Sequence, residues 1–361
     1  MLPRVLRRLL MPLLAVLTTG CSAVVLHPAG DVALQQRNLI IASTVLMLLI
    51  IVPVMVLTGW FAWHYRQSNT KAHYDPDWHH STGLELVIWS APLLIIIALG
   101  AMTWIATHTL DPYRPLGRLA AAKPVPEGTR PLKVQVVALD WKWLFVYPDY
   151  GFATVNELAA PVDVPIEFQI TASSVMNSFF IPALAGQIYA MPAMETQLHA
   201  VINQPGSYEG FSANYSGAGF SDMHFRFLGK SQADFDLWVQ SVKSGGGALT
   251  REGYLALARP SEREPVKHYA EVAPGLYDLI LNLCVQPGKM CLRDMMKIDA
   301  KGGLGMAGAY NVGRLAYDRP LALDAGQAGP PTGLAYVLAL CATPGPLWSP
   351  APPAASAAAG N

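Results

Sequence analysis

Between Pro205 and Met223 the chain reads PGSYEGFSANYSGAGFSDM, which sets Ser212, Ser216, Phe220 and Met223 at short, regular spacing in one Gly-rich loop. The donor types decide what such a loop can hold. A dinuclear copper centre needs soft, anionic thiolates to bridge the ions and imidazoles to cap them. A serine hydroxyl stays protonated near neutral pH and is a weak copper ligand. Phenylalanine cannot coordinate, and a lone thioether binds weakly. No metal is therefore expected at these four positions. On residue statistics alone the same stretch reads as a Gly/Ser-rich hairpin turned by its Pro-Gly pair.

Other residues carry possible chemistry. Glu85 opens an otherwise apolar run, which makes it either an interfacial residue reaching for water or part of a proton path. His79 and His80 fall in the short loop before it, where a solvated loop is the preferred reading over proton buffering. His199 and His224 lie on separate strand-like segments and form no ligand spacing with a third partner. Cys284 and Cys291 are close enough to pair in an oxidising compartment, leaving Cys341 over. Met290, Met295, Met296 and Met306 accompany no repeated metal-ligand motif, so packing or loop roles are expected of them.

These residues need elements to hold them. The chain has 361 residues, 52% hydrophobic and only 14% charged, which suggests a membrane part joined to a water-exposed part. The formal net charge is zero, and no basic run points to nucleic acid. Residues 1–21 have the form of an export signal: Arg4, Arg7 and Arg8, then an apolar run from Leu9 to Leu17 too short to span a bilayer. Gly20-Cys21 at its end resembles a lipoprotein signal, in which Cys21 would be acylated, although Thr18 stands where leucine is usual.

Within residues 22–110, Leu39–Phe61 and Leu86–Thr107 are uncharged and long enough for the roughly 20 residues a membrane helix needs. They read as a hairpin of two transmembrane helices, about 39–61 and 84–107. Trp60, Trp63, Trp89 and Trp104 are interfacial candidates. Pro53 and Pro92 suggest packing against a larger partner. Basic-residue counting does not favour a cytoplasmic loop between the helices, because Arg37, Arg114, Arg118 and Lys123 flank their other ends. The export signal does favour it. The signal is given precedence, since a large following domain translocates largely regardless of its charge.

Residues 111–130 read as a Pro/Ala/Gly-rich linker that lifts the next domain off the membrane. From 131 to 229 the texture turns to short strands: KVQVVALDWKWLFVYP, VPIEFQIT, NSFFIP, GQIYAMP, METQLHAVI and DMHFRFLG. This is the pattern of an all-β sandwich. In residues 230–342, Phe235, Trp238, Val239 and Val242 share a helical face after a capping Ser231, and Leu276, Leu279, Ile280 and Leu283 repeat the pattern. Residues 343–361 are Ala/Pro-rich and expected to be disordered.

The loop at 205–223 resembles the copper loop of subunit II of the haem-copper respiratory oxidases: PG, three residues, G, then Cys, three residues, Cys, three residues, His, two residues, Met. Here Ser212 and Ser216 stand at the cysteine places, Phe220 at the histidine place, and only Met223 is retained. SSVMNSFFIP matches the segment with the family's upstream histidine and holds Asn177 there. ELVIWSAP and DWKWLFVYPDYGFATVNEL extend the match over roughly Trp78 to Phe227. Among the branches, the chain is similar to the bo-type ubiquinol oxidase subunit II family, in which the metal positions are emptied.

That resemblance implies a membrane α-helical hairpin, then a cupredoxin-like sandwich, then a C-terminal helical arm. It also implies a non-catalytic subunit with no cofactor of its own, in a proton-translocating terminal oxidase of the bacterial inner membrane. Haems and copper are expected in the partner subunit I, ubiquinol as the substrate of the complex, membrane lipid around the hairpin, and the large domain in the periplasm. Trp141 and Trp143 sit where copper-bearing relatives admit electrons; with no metal behind them, a structural role is preferred. In the family a glutamate at the place of Glu85 lies near the mouth of a proton-uptake channel, which makes Glu85 a proton-uptake candidate. A membrane-tethered binding or copper-delivery module on the same sandwich is the alternative.

Overall fold

The structure is a computed structural model that describes residues 23–73 and 75–300. The signal-like segment with Cys21, and Met306, Cys341 and the Ala/Pro-rich tail, lie outside the described residues. Helix α1 spans Asp31–His64 and helix α2 spans Thr82–Thr109. Both are built from the two apolar runs and carry Pro53 and Pro92 in their interiors. Each outlasts its uncharged run, because polar residues continue the helices past the apolar stretch. Ser81 starts α2 by accepting from the backbone N–H of Leu84.

The start of α1 belongs to the sandwich. Asp31, Val32 and Ala33 are buried, the N–H groups of Ala29 and Gly30 donate to the Ala183 carbonyl, and Gly30 forms a bridge with Ile202. A Cβ on Gly30 would lie 2.4 Å from the carbonyl oxygen of Val201, so only glycine allows this approach.

Within the linker, strands β1 (Arg118–Ala120) and β2 (Lys123–Pro124) form a small antiparallel ladder that lies against the sandwich. Leu119 is buried. Asn203 Nδ2 donates to the Leu119 carbonyl at 2.8 Å, and the backbone N–H of His199 donates to that of Pro112. Arg118 pairs with the buried Asp31 at 2.8 Å, which ties linker to helix.

The remaining strands are β3 (Leu132–Leu139), β4 (Lys142–Tyr147), β5 (Phe152–Val155), β6 (Glu157–Pro161), β7 (Pro165–Ala172), β8 (Asn177–Phe180), β9 (Ile188–Ala190), β10 (Thr196–Val201), β11 (Gly206–Ser212) and β12 (His224–Lys230). After them come helix α3 (Gln232–Gly245), β13 (Gly247–Leu249), helix α4 (Arg251–Leu257), β14 (Lys267–Val272), and helices α5 (Leu276–Leu281) and α6 (Leu292–Asp299). One sheet runs β10-β7-β3-β4-β5-β14-β13, and the other β6-β12-β11-β8-β9.

Period-two alternation explains two cores. Val134, Val136, Trp143, Phe145 and Tyr147 point between the sheets with Phe168, Phe179 and Phe227. Their neighbours Val137, Leu139, Leu144 and Val146 point to the opposite face, where Leu249, Tyr254, Leu276, Leu279, Ile280 and Cys284 cover them. The central strands are therefore buried on both sides, and read as continuous apolar runs for that reason.

The C-terminal arm is helical as expected, and it also contributes two strands. β14 pairs antiparallel with β5, Lys267 opposite Val155 and Tyr269 opposite Ala153, and β13 pairs with β14. Helix α3 begins at Ser231, whose hydroxyl accepts from Asp234 N–H, and buries Phe235, Trp238, Val239 and Val242. Leu276, Leu279 and Ile280 are buried on α5, but Leu283 lies beyond its end with φ of 54°, where the chain turns.

Candidate functional site

Four of the singled-out positions meet at the end of the smaller sheet. Asn177 opens β8 and Ser212 closes β11; both are buried. The Ser212 hydroxyl lies 3.1 Å from Asn177 Oδ1 and 3.2 Å from the Asn214 carbonyl. It accepts from the backbone N–H of Ser178 at 3.4 Å. Asn177 Nδ2 donates to the Val175 carbonyl at 3.1 Å. Met223 is fully buried, its carbonyl accepts from Ser212 N–H, and its sulfur lies 4.0 Å from the Ser216 hydroxyl. Phe220 does not join them as a donor; its ring sits 5.6 Å from that of Tyr215 in an edge contact.

The loop between is braced by Trp141, whose role the sequence did not show. Its indole N–H donates to the Ser216 carbonyl at 3.1 Å. A Cβ on Gly219 would fall 2.5 Å from the indole, so the glycine is what lets backbone and ring stack this closely. Trp141 itself turns from β3 to β4 with φ of 64°, a conformation that nothing in the run DWKW announces. Trp143 is the buried partner of Phe179 and Phe225, as a core role requires. Lys142 between them is buried too, and its ammonium donates to Ser261 Oγ at 2.6 Å and to the Arg259 carbonyl at 2.8 Å. Burial pushes this lysine below its ordinary range, against the pull of Glu264 and Asp140.

The donor set does not fit a dinuclear copper centre. The Ser212 hydroxyl on the Asn177 amide and the Met223 thioether beside the Ser216 hydroxyl offer no anionic sulfur and no imidazole for copper. Among the described residues no three His, Cys, Asp or Glu side chains form a group able to hold a metal ion. His199 is engaged by the Pro112 carbonyl at 3.0 Å, and His224 by Glu209 at 2.7 Å. Met290 is buried, while Met295 and Met296 are exposed.

Far from this loop, Glu85 stands in the first turn of α2 and its Oε1 lies 2.7 Å from His80 Nδ1. His79 instead contacts the Asp77 carbonyl. Cys284 and Cys291 form a disulfide with Cα atoms 4.7 Å apart, inside the second core.

Two family models match the chain. "Cytochrome C oxidase subunit II, periplasmic domain" covers residues 152–227, and "COX Aromatic Rich Motif" covers 243–288. The cytochrome bo(3) ubiquinol oxidase subunit 2 of Pseudomonas putida is 50% identical over 266 residues, 74% of this chain and 82% of that protein. The ubiquinol oxidase subunit 2 of Acetobacter aceti is 51% identical over 267 residues, 74% of this chain and 84% of its own. Among solved structures, the periplasmic domain of subunit II of cytochrome oxidase of Bradyrhizobium japonicum is 23% identical, with a TM-score of 0.31, covering 31% of this chain and 94% of that one.

Proposed function

This chain belongs to the quinol oxidase subunit 2 family, and from that premise we propose that it is the non-catalytic structural subunit of a terminal ubiquinol oxidase. The complex couples quinol oxidation and reduction of oxygen to water to proton translocation. Helices α1 and α2 pack on the haem-bearing subunit I within the bacterial inner membrane, and the sandwich covers the partner's periplasmic side. Electrons leave quinol in the membrane and enter the cofactors of subunit I directly. No residue of this chain carries an electron.

The observation that supports this reading is the loop's donor set. In a chain about half identical to quinol oxidase subunits, Asn177, Ser212 and Met223 satisfy one another where an electron-entry metal would need thiolates and imidazoles. The same membership weighs against a copper-delivery module. Cys21 serves as a lipid anchor for the mature N-terminus, and Glu85 takes up protons on the cytoplasmic side for the partner subunit. The test is isolation of the intact complex in mild detergent. Haem absorption bands with quinol-dependent oxygen consumption are expected, and a colourless, solitary chain would overturn the proposal.

A further inference from the structure

We propose that His80 is the proton donor to Glu85, a relay that rests on the proton-uptake reading of Glu85 given above. Glu85 is the one carboxylate of α2, and an ionisable side chain at the end of a membrane helix calls for a named partner. The structure supplies one. His80 Nδ1 lies 2.7 Å from Glu85 Oε1, and its other ring nitrogen lies 3.2 Å from the Thr82 hydroxyl. The imidazole thus has one nitrogen on the carboxylate and the other on the Thr82 hydroxyl, with 58% of the side chain exposed.

Three other titratable residues of the loop have partners of their own. Arg66 donates to the Trp63 carbonyl and lies over the Trp63 ring, Asp75 accepts from the backbone of Asp77, and His79 contacts the Asp77 carbonyl. Among the described residues, His80 is the titratable group in contact with Glu85. Ser81 caps α2, and the Glu85 N–H donates to the Ser81 carbonyl at 2.9 Å, so the cap and the backbone of Glu85 are fixed together.

Imidazole suits the step because it can bind a proton at one ring nitrogen and release one from the other. A proton from water binds Nε2, the imidazolium releases its Nδ1 proton to the Glu85 carboxylate, and the ring is left neutral with the carboxyl protonated. One proton enters and one is delivered. Exchange with water returns the ring to its first tautomer.

The experiment measures the rate of proton uptake from the medium by the whole oxidase complex, with a pH-indicator dye, in His80→Gln, His80→Ala and Glu85→Ala variants of matched haem content. Gln retains a hydrogen-bond donor for Glu85 but cannot exchange a proton. Both His80 variants should be slowed by about threefold or more, short of the 10²–10⁴ of a fully positioned acid because water also reaches the carboxylate. Free imidazole should restore His80→Ala and leave Glu85→Ala slow. Wild-type rates in the His80 variants beside a slow Glu85→Ala would overturn the relay and leave the Glu85 reading intact. Slowing that imidazole does not relieve would assign His80 a structural role and also overturn it. An unchanged Glu85→Ala would remove both readings.

Discussion

The indole N–H of Trp141 donates to the carbonyl of Ser216 at 3.1 Å, across 75 residues of sequence. This bond fixes the loop from Ser212 to Met223 to the turn between β3 and β4, and Gly219 lies flat against the same ring. The ring thus braces the loop at Ser216 and at Gly219 together.

Removing the bond with Trp141→Phe should cost about 1 kcal/mol. Gly219→Ala should cost more, because its Cβ would meet the ring at 2.5 Å and overpacking costs about 1–3 kcal/mol. Thermal unfolding of the purified complex, followed by tryptophan fluorescence, orders the two variants.

Refitting the donors tests whether the scaffold is sound. Asn177 and Ser212 touch, and Met223 is bonded to Ser212 through its backbone. The combined variant Asn177→His, Ser212→Cys, Ser216→Cys, Phe220→His should bind copper with intense visible thiolate absorption. The parent should show none under the same titration.

Acid should loosen the linker. Asp163 accepts from Lys123 Nζ and from Asn203 Nδ2, each at 2.8 Å. The Lys123 bond, then the Asn203 bond, hold its carboxyl below the ordinary value of 3.8. A depressed folded value means that the unfolded chain binds more protons, so stability rises with pH through this window. The contribution is fully present above the ordinary value and disappears as pH falls through the lower, folded one. Limited proteolysis near residues 117–130 should increase on acidification, and Asp163→Asn should flatten that dependence.

The disulfide staples the turn after α5 to the start of α6 across a separation of seven residues. Closing so short a loop stabilises by roughly 2–3 kcal/mol in the chain-entropy account. Replacing both cysteines with serine should therefore expose residues 276–300 to hydrogen exchange before the sandwich opens, as mass spectrometry can read.

Much of this architecture is legible locally. The two long apolar helices follow from uncharged length, and α3 follows from Ser231 with Phe235, Trp238, Val239 and Val242 on one face. What is not legible depends on partners distant in sequence. KHYAEV alternates no clear apolar face and becomes β14 because β5 offers an edge. Lys142 sits in an apolar strand and is buried because Arg259 and Ser261 arrive to accept its protons. The linker docks because Asp31 and Asn203 reach it. At the loop, donor chemistry was readable from residue types, whereas the brace by Trp141 required a left-handed turn with no local signal.

The central claim is that electrons enter the complex from quinol and not through this chain's loop. Oxygen consumption by the purified complex, driven in parallel by ubiquinol and by reduced cytochrome c as sole donors, tests it directly. Ubiquinol should sustain turnover while reduced cytochrome c supports none above background; turnover with reduced cytochrome c matching that with ubiquinol would contradict the account.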